Sequence, residues 1–201
     1  VNATPEYIQQ VRDRYGLDWD GFADALASTP AGNGGALMLP WFAPEIVPRV
    51  RQPGAVRHGL DPADAAANCR ALVEGQMLAM RLHAGWMGVR PRRIVATGGA
   101  SVNRAILQVM ADVHGCPVER QEGSNSAALG AALRAAHAWL CEKGQPADWP
   151  ALVEPFTRPL PGSRVEPDSA AAPVYDALLE TYAEQERAAL AERGRAGGQG
   201  A

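Results

Sequence analysis

A hydrophobic strand that ends in two glycines and turns at once into a helix leaves few folds open to a chain. Ile94-Val95-Ala96-Thr97-Gly98-Gly99-Ala100-Ser101-Val102-Asn103 is such a run. Its continuation keeps the alternation. Val102 to His114 has helical spacing, Cys116 to Arg120 reads as a second strand, and Ser126 to Leu140 as an alanine-rich helix. Short strands alternating with helices of this length predict a parallel α/β sheet.

The flanking sequence supplies more elements. Thr4-Pro5-Glu6 has the hydroxyl, proline and acid of a helix start, so a helix is expected from there to about Arg14. A second begins at Asp18 and puts Trp19, Phe22, Ala23 and Leu26 on one side. Ser28 to Gly35 is expected as a loop, Ala36 to Leu39 as a short buried strand, and Pro40 to Leu60 as irregular. Asp61-Pro62-x-Asp64 predicts a helix capped by Asp61 that continues to about Met87. Its apolar face comprises Cys69, Val73, Met77, Met80, Ala84 and Met87. Gly144 to Ala172 is proline-rich, Pro173 to Glu192 reads as an amphipathic helix, and Arg193 to Ala201 as a disordered tail.

Composition narrows the function. A net charge of -3 argues against a nucleic-acid surface. No apolar run approaches the ~20 residues of a membrane helix. The three cysteines, Cys69, Cys116 and Cys141, have no metal-ligand or CxxC spacing and suit a reduced, cytoplasmic protein. His58, His83, His114 and His137 share no metal-ligand spacing either.

The chemistry concentrates at the glycine turn. Gly98 and Gly99 let a ligand reach the backbone, and a following helix start favours an anionic or polar one. Ser101 can cap that helix, and the Asn103 amide suits a ribose or purine edge. The same turn also serves simply to pack a strand against a helix. The Trp19 indole suits a flat purine face, its alternative role being core packing. Asp112 and Glu74 lie inside helices beside apolar faces, where structural hydrogen bonding is expected rather than acid–base work.

The motif set points further. Ala71-x-x-Glu74-Gly75, Gly98-Gly99-x-Ser101-x-Asn103, Gln108-x-x-Ala111-Asp112-x-x-Gly115-x-Pro117-Val118 and Ala128-Leu129-Gly130-Ala131-Ala132 follow one another with compatible spacing. Together they resemble the C-terminal domain of the FGGY carbohydrate kinases over roughly Asp61 to Trp139. Ser28-Thr29-Pro30-x-Gly32-Asn33-Gly34-Gly35 and the closing helix look most like the xylulose kinase branch. The resemblance implies an actin-like, ribonuclease-H-like C-terminal lobe, incomplete at its N-terminal side. Residues 1–143 would form the lobe and 144–192 a proline-rich segment and helix packed on it. The implied reaction is ATP-dependent phosphorylation of D-xylulose, with Mg²⁺ as cofactor and an N-terminal lobe as partner.

By motif position, the resemblance places Gly98, Gly99, Ala100 and Asn103 with Trp19 at the nucleotide, and Gly34 and Gly35 on a loop approaching ATP. No catalytic residue or metal ligand is expected here, since the family's aspartate base precedes this stretch. Val1 is expected to be a truncation point. Ribulose, gluconate and glycerol kinases share these motifs, and a non-catalytic actin-like nucleotide-binding module remains a further alternative.

Overall fold

In the computed structural model, which describes residues 5–121, 125–145 and 147–198, the chain opens with helices α1 (Pro5–Arg14) and α2 (Trp19–Ser28). Strands β1 (Leu37–Leu39) and β2 (Val56–His58) follow, then the long helix α3 (Ala65–Ala84). Strand β3 (Ile94–Ala96), helix α4 (Arg104–His114) and strand β4 (Val118–Arg120) come next. The helices α5 (Ser126–Glu142), α6 (Trp149–Val153) and α7 (Ala172–Gly198) close the chain.

Asp18 caps α2 by accepting from the Gly21 N–H at 2.7 Å, and Phe22 and Leu26 turn inward. The cap expected of Thr4 lies outside the described residues. Ser28–Gly35 is tighter than the expected loop. It winds into a 3-10 turn over Ala31–Gly35, with left-handed φ at Gly32, Asn33 and Gly34.

Two parts of the sheet differ in kind. β3 and β4 pair in parallel, Val95 opposite Glu119, as the alternation predicts. Val165 extends this pair on the far side of β4 through mutual bonds with Val118 of 2.8 and 2.9 Å. β1 instead pairs antiparallel with β2, Met38 opposite Arg57. The segment expected to be irregular thus contains a strand. At three residues between Gly54 and Gly59, it is too short for any two-residue period to show.

The helix α3 is the axis of the molecule. Its cap is Asp64, which accepts from the Ala67 N–H at 2.9 Å, whereas Asp61 closes a local turn onto the Ala63 N–H at 2.8 Å. An aspartate two residues from a free N–H prefers that turn to a helix, so the start moves from Asp61 to Asp64. From Asn68 to Ala79 the helix is buried on every face, not along the single stripe that its spacing suggested. The helices α1, α2, α4 and α7 and strand β1 all pack on it. The regular helix ends at Ala84. A 3-10 turn over Gly85–Met87 follows, leaving Trp86 and Met87 exposed.

A smaller apolar cluster of Ala96, Leu107, Ala111, Val118 and Val165 fills the space between the parallel strands and α4. By contrast α5, despite its alanine-rich sequence, buries only Leu133. The helix α7 continues to Gly198, past the expected end at Glu192. Part of the expected tail is therefore helical, and residues 199–201 lie outside the described ones. Arg193 ties that end down by donating to the Gln52 and Gly54 carbonyls while its guanidinium lies over the Trp41 ring at 4.9 Å.

His114, in the last turn of α4, is lowered to about 4 by burial and by the Arg81 charge. The unfolded chain therefore binds this proton more readily than the folded one. Stability is full above the ordinary histidine pKa of about 6.5 and is lost as pH falls from there towards 4, by at most about 3 kcal/mol. In urea unfolding across that window, His114→Asn is expected to flatten the acid side of the stability curve. An unchanged slope would show that His114 does not drive it.

Candidate functional site

The β3–α4 junction is built around Gly98, whose φ of 85° is one that side-chain-bearing residues rarely adopt. Gly99–Val102 then winds as a 3-10 turn. Ser101, buried, donates from Oγ to the Gly98 carbonyl at 2.7 Å and fastens the turn. It does not cap the helix. That role belongs to Asn103, whose Oδ1 accepts from the Ala105 and Ile106 N–H groups at 3.0 and 3.3 Å. Asn103 therefore stands at the helix start. Its oxygen is engaged, and its Nδ2 donor has no protein partner among the described residues. Because Asn103 occupies these two N–H groups, a ligand meets side chains here more than the bare helix terminus.

Against this turn lies a cleft of about 550 Å³. Its walls include Trp19 and Ala23 of α2, the turn residues Gly99 and Ala100, and Asn103 and Arg104. Two sequence-separate stretches thus bring Trp19 together with Gly99, Ala100 and Asn103. Gly98 adjoins it as the hinge of the turn. Gly34 and Gly35 are not among its walls; they lie exposed at the end of the 3-10 turn that precedes β1.

Trp19 is 43% exposed, so it is not a core residue. One face of the indole is covered by the Arg12 guanidinium, 4.4 Å from the ring centroid, and its edge meets Phe22. Arg12 is in turn held by Asp13 at 2.5 Å. Sequence reasoning passed over Arg12 and Arg104. Arg104 carried a signal, since a cation in the first turn of a helix opposes the helix dipole, and such a local conflict marks a position for inspection. Arg104 is exposed and has no ion pair among the described residues.

The acids of the motifs do structural work. Glu74 Oε1 accepts from Arg70 Nε at 2.7 Å, the Tyr175 hydroxyl at 2.7 Å and the Gly32 N–H at 2.9 Å. Arg70 also donates to the Leu26 carbonyl and to Tyr175. This one buried network joins α2, the 3-10 turn, α3 and α7. Burial alone would lower the Arg70 pKa, but the charges and hydrogen bonds of Glu74 and Tyr175 outweigh it and hold it raised. Burial, and then Glu74, keep the Tyr175 phenol protonated far above its ordinary range. Asp112 Oδ1 accepts from Gln108 and from the Asp168 N–H, both at 2.8 Å, and so pins the proline-rich segment to α4. Among the described residues no group of three or more His, Cys, Asp or Glu side chains is placed to hold a metal ion.

The parallel β3–α4–β4 unit carries this cleft at its strand–helix turn, and comparison with known proteins gives the family of the domain. Residues 4–139 match the FGGY family of carbohydrate kinases, C-terminal domain, and the chain belongs to that family. Xylulose kinase of Rattus norvegicus is 38% identical over 193 residues, covering 92% of this chain and 35% of that protein. The chain therefore spans about a third of the length of this relative. Among solved structures, ligand-bound xylulose kinase from Lactobacillus acidophilus superposes with a TM-score of 0.80 at 22% identity, over 97% of this chain and 40% of that one. Xylulose kinase from Rhodospirillum rubrum does so at 0.73 and 25% identity, over 93% and 38%. The fold is the actin-like ATPase, ribonuclease-H-like, C-terminal lobe expected from the motifs.

Proposed function

We propose that the protein of which this chain is a part transfers the γ-phosphoryl group of ATP to a hydroxyl of D-xylulose, and that this chain supplies the nucleotide side. The observation that carries this reading is the convergence of Trp19 with Gly99, Ala100 and Asn103 on one cleft. The similarity to xylulose kinases supports the choice of sugar. In this reading the purine lies against the indole face that Arg12 leaves open, and Asn103 Nδ2 donates to an acceptor on the base or ribose. Gly98 and Gly99 let the nucleotide reach the backbone, and Arg104 meets its charge. Gly34 and Gly35 have no part in this cleft, and any approach of theirs to ATP would be from another side.

Phosphoryl transfer also needs charge neutralisation by Mg²⁺ and a base at the acceptor hydroxyl. The described residues offer no acid cluster that fits the ion, so no residue of this chain is assigned to it. The sugar site and base are assigned to an N-terminal lobe, with residues 1–143 as its nucleotide-binding partner and 144–192 packed on that partner. A cytoplasmic location fits the three unpaired cysteines.

A coupled assay of ADP release by the full-length protein, run over D-xylulose, ribulose, gluconate and glycerol, is expected to show the highest kcat/KM with D-xylulose. Absence of xylulose-dependent turnover would overturn the reading. Gly99→Val probes the cleft directly. A Cβ at Gly99 meets nothing within 4 Å, so the fold tolerates the side chain, which instead occupies ligand space. The KM for ATP should rise about tenfold or more with the KM for sugar unchanged. Equal changes in both would make the turn purely structural.

A further inference from the structure

The network around Glu74 leaves two buried polar side chains aside. Gln76, on the fully enclosed stretch of α3, is 1% exposed, and Tyr182, on α7, is wholly buried. Among the described residues neither Oε1 nor Nε2 of Gln76 has a hydrogen-bond partner, and neither has the Tyr182 hydroxyl. Both residues line one small recess with about 20 Å³ of room, walled also by Trp41, Glu45 and Pro48. Buried polar groups are almost always satisfied, and three orphans on one recess call for a shared explanation. About 10–15 Å³ of such room is enough for one water.

We propose that this recess is a binding site for a single water molecule, which bridges the Gln76 amide on α3 to the Tyr182 hydroxyl on α7. The donor set decides between water and a metal ion. A cation would be served by Gln76 Oε1 and the phenol oxygen, but would face the amide donor of the same side chain. Water donates to Oε1 and its two lone pairs accept from Nε2 and the phenol, so it satisfies all three atoms. The phenol keeps its proton, since burial and the charges of Glu186 and Glu45 raise its pKa. Glu45 already accepts from the Tyr7 hydroxyl at 2.9 Å and is not required by the bridge.

Thermal unfolding of the full-length protein tests this, with Tyr182→Phe removing only the hydroxyl and Gln76→Met removing the amide at nearly constant volume. Each variant is expected to lower Tm by about 2–4 °C. Because either change breaks the same bridge, the double variant should lose little more than the worse single one. A crystal structure of the full-length protein should show one solvent peak within hydrogen-bond distance of both side chains. The proposal is overturned if Tyr182→Phe leaves Tm unchanged or raised, if the two losses add, or if no solvent peak is found. A Tm that climbs with potassium or sodium concentration in the native protein, and not in Gln76→Met, would mark a cation site instead.

Discussion

Replacing Glu74 by alanine is expected to destabilise the fold by about 3–5 kcal/mol, because it leaves the buried Arg70 guanidinium without its counter-charge. The same change removes the acceptor of the Tyr175 hydroxyl and of the Gly32 N–H, so α7 and the 3-10 turn before β1 loosen together. Urea unfolding monitored by circular dichroism measures the loss. A cost below about 1 kcal/mol would mean that the network contributes little. Arg70→Met in the Glu74→Ala background separates charge from contact. With both charges gone, the double variant should be more stable than Glu74→Ala alone, since the cost is that of an unpaired buried ion rather than of a missing attraction. The network reaches α2 only near its C-terminal end, at the Leu26 carbonyl, whereas Trp19 stands at its start, so the KM for ATP of the folded fraction should change little.

The second large effect is expected at Gly75. In an open helix Gly→Ala stabilises by about 1 kcal/mol. Here a Cβ would overlap the Met38 carbonyl oxygen, inside the 3.0 Å limit that real Cβ atoms keep. Helix α3 passes so close to β1 that only a bare backbone fits, and neither the carbonyl nor the buried helix can move away cheaply. Gly75→Ala should therefore cost about 3 kcal/mol, at the upper end of overpacking effects. A stabilised variant would refute the close approach. The adjacent Glu74 and Gly75 of the A-x-x-E-G motif thus act on different neighbours, one on α7 and the turn, the other on the strand.

Much of the architecture was legible because the signals are local. Pro5 and Asp18 mark helix starts, and Gly115, with φ of 63°, ends α4 where a left-handed cap is needed. The parallel β3–β4 pair followed from strand, turn, helix and strand within one short stretch. Where competing local signals lay a few residues apart, only the folded chain chose between them. The sequence pointed to Asp61 and Ser101 as caps, whereas Asp64 and Asn103 hold those positions. In each case the nearer polar residue closed a small turn and the later one capped the helix.

The candidate site divides in the same way. The Gly98-Gly99-x-Ser101-x-Asn103 motif and Trp19 were visible as residue types, and a purine-compatible chemistry could be read from them. That they share a cleft, with Arg12 behind the indole and Arg104 beside Asn103, depends on α2 packing against α4 across a long stretch of sequence. Gly34 and Gly35 were expected on a loop approaching ATP and lie outside this cleft, for φ freedom alone carries no information about what a loop faces.

By itself, then, the sequence determined the helix and strand types, the glycine turn and the family, because each rests on contacts a few residues apart or on a motif order. Only the tertiary structure decided that α3 is buried on every side, which partners the structural acids Glu74 and Asp112 hold, and that β2 exists at all. Those outcomes depend on which distant surfaces meet, and neither hydrophobic period nor propensity encodes that meeting.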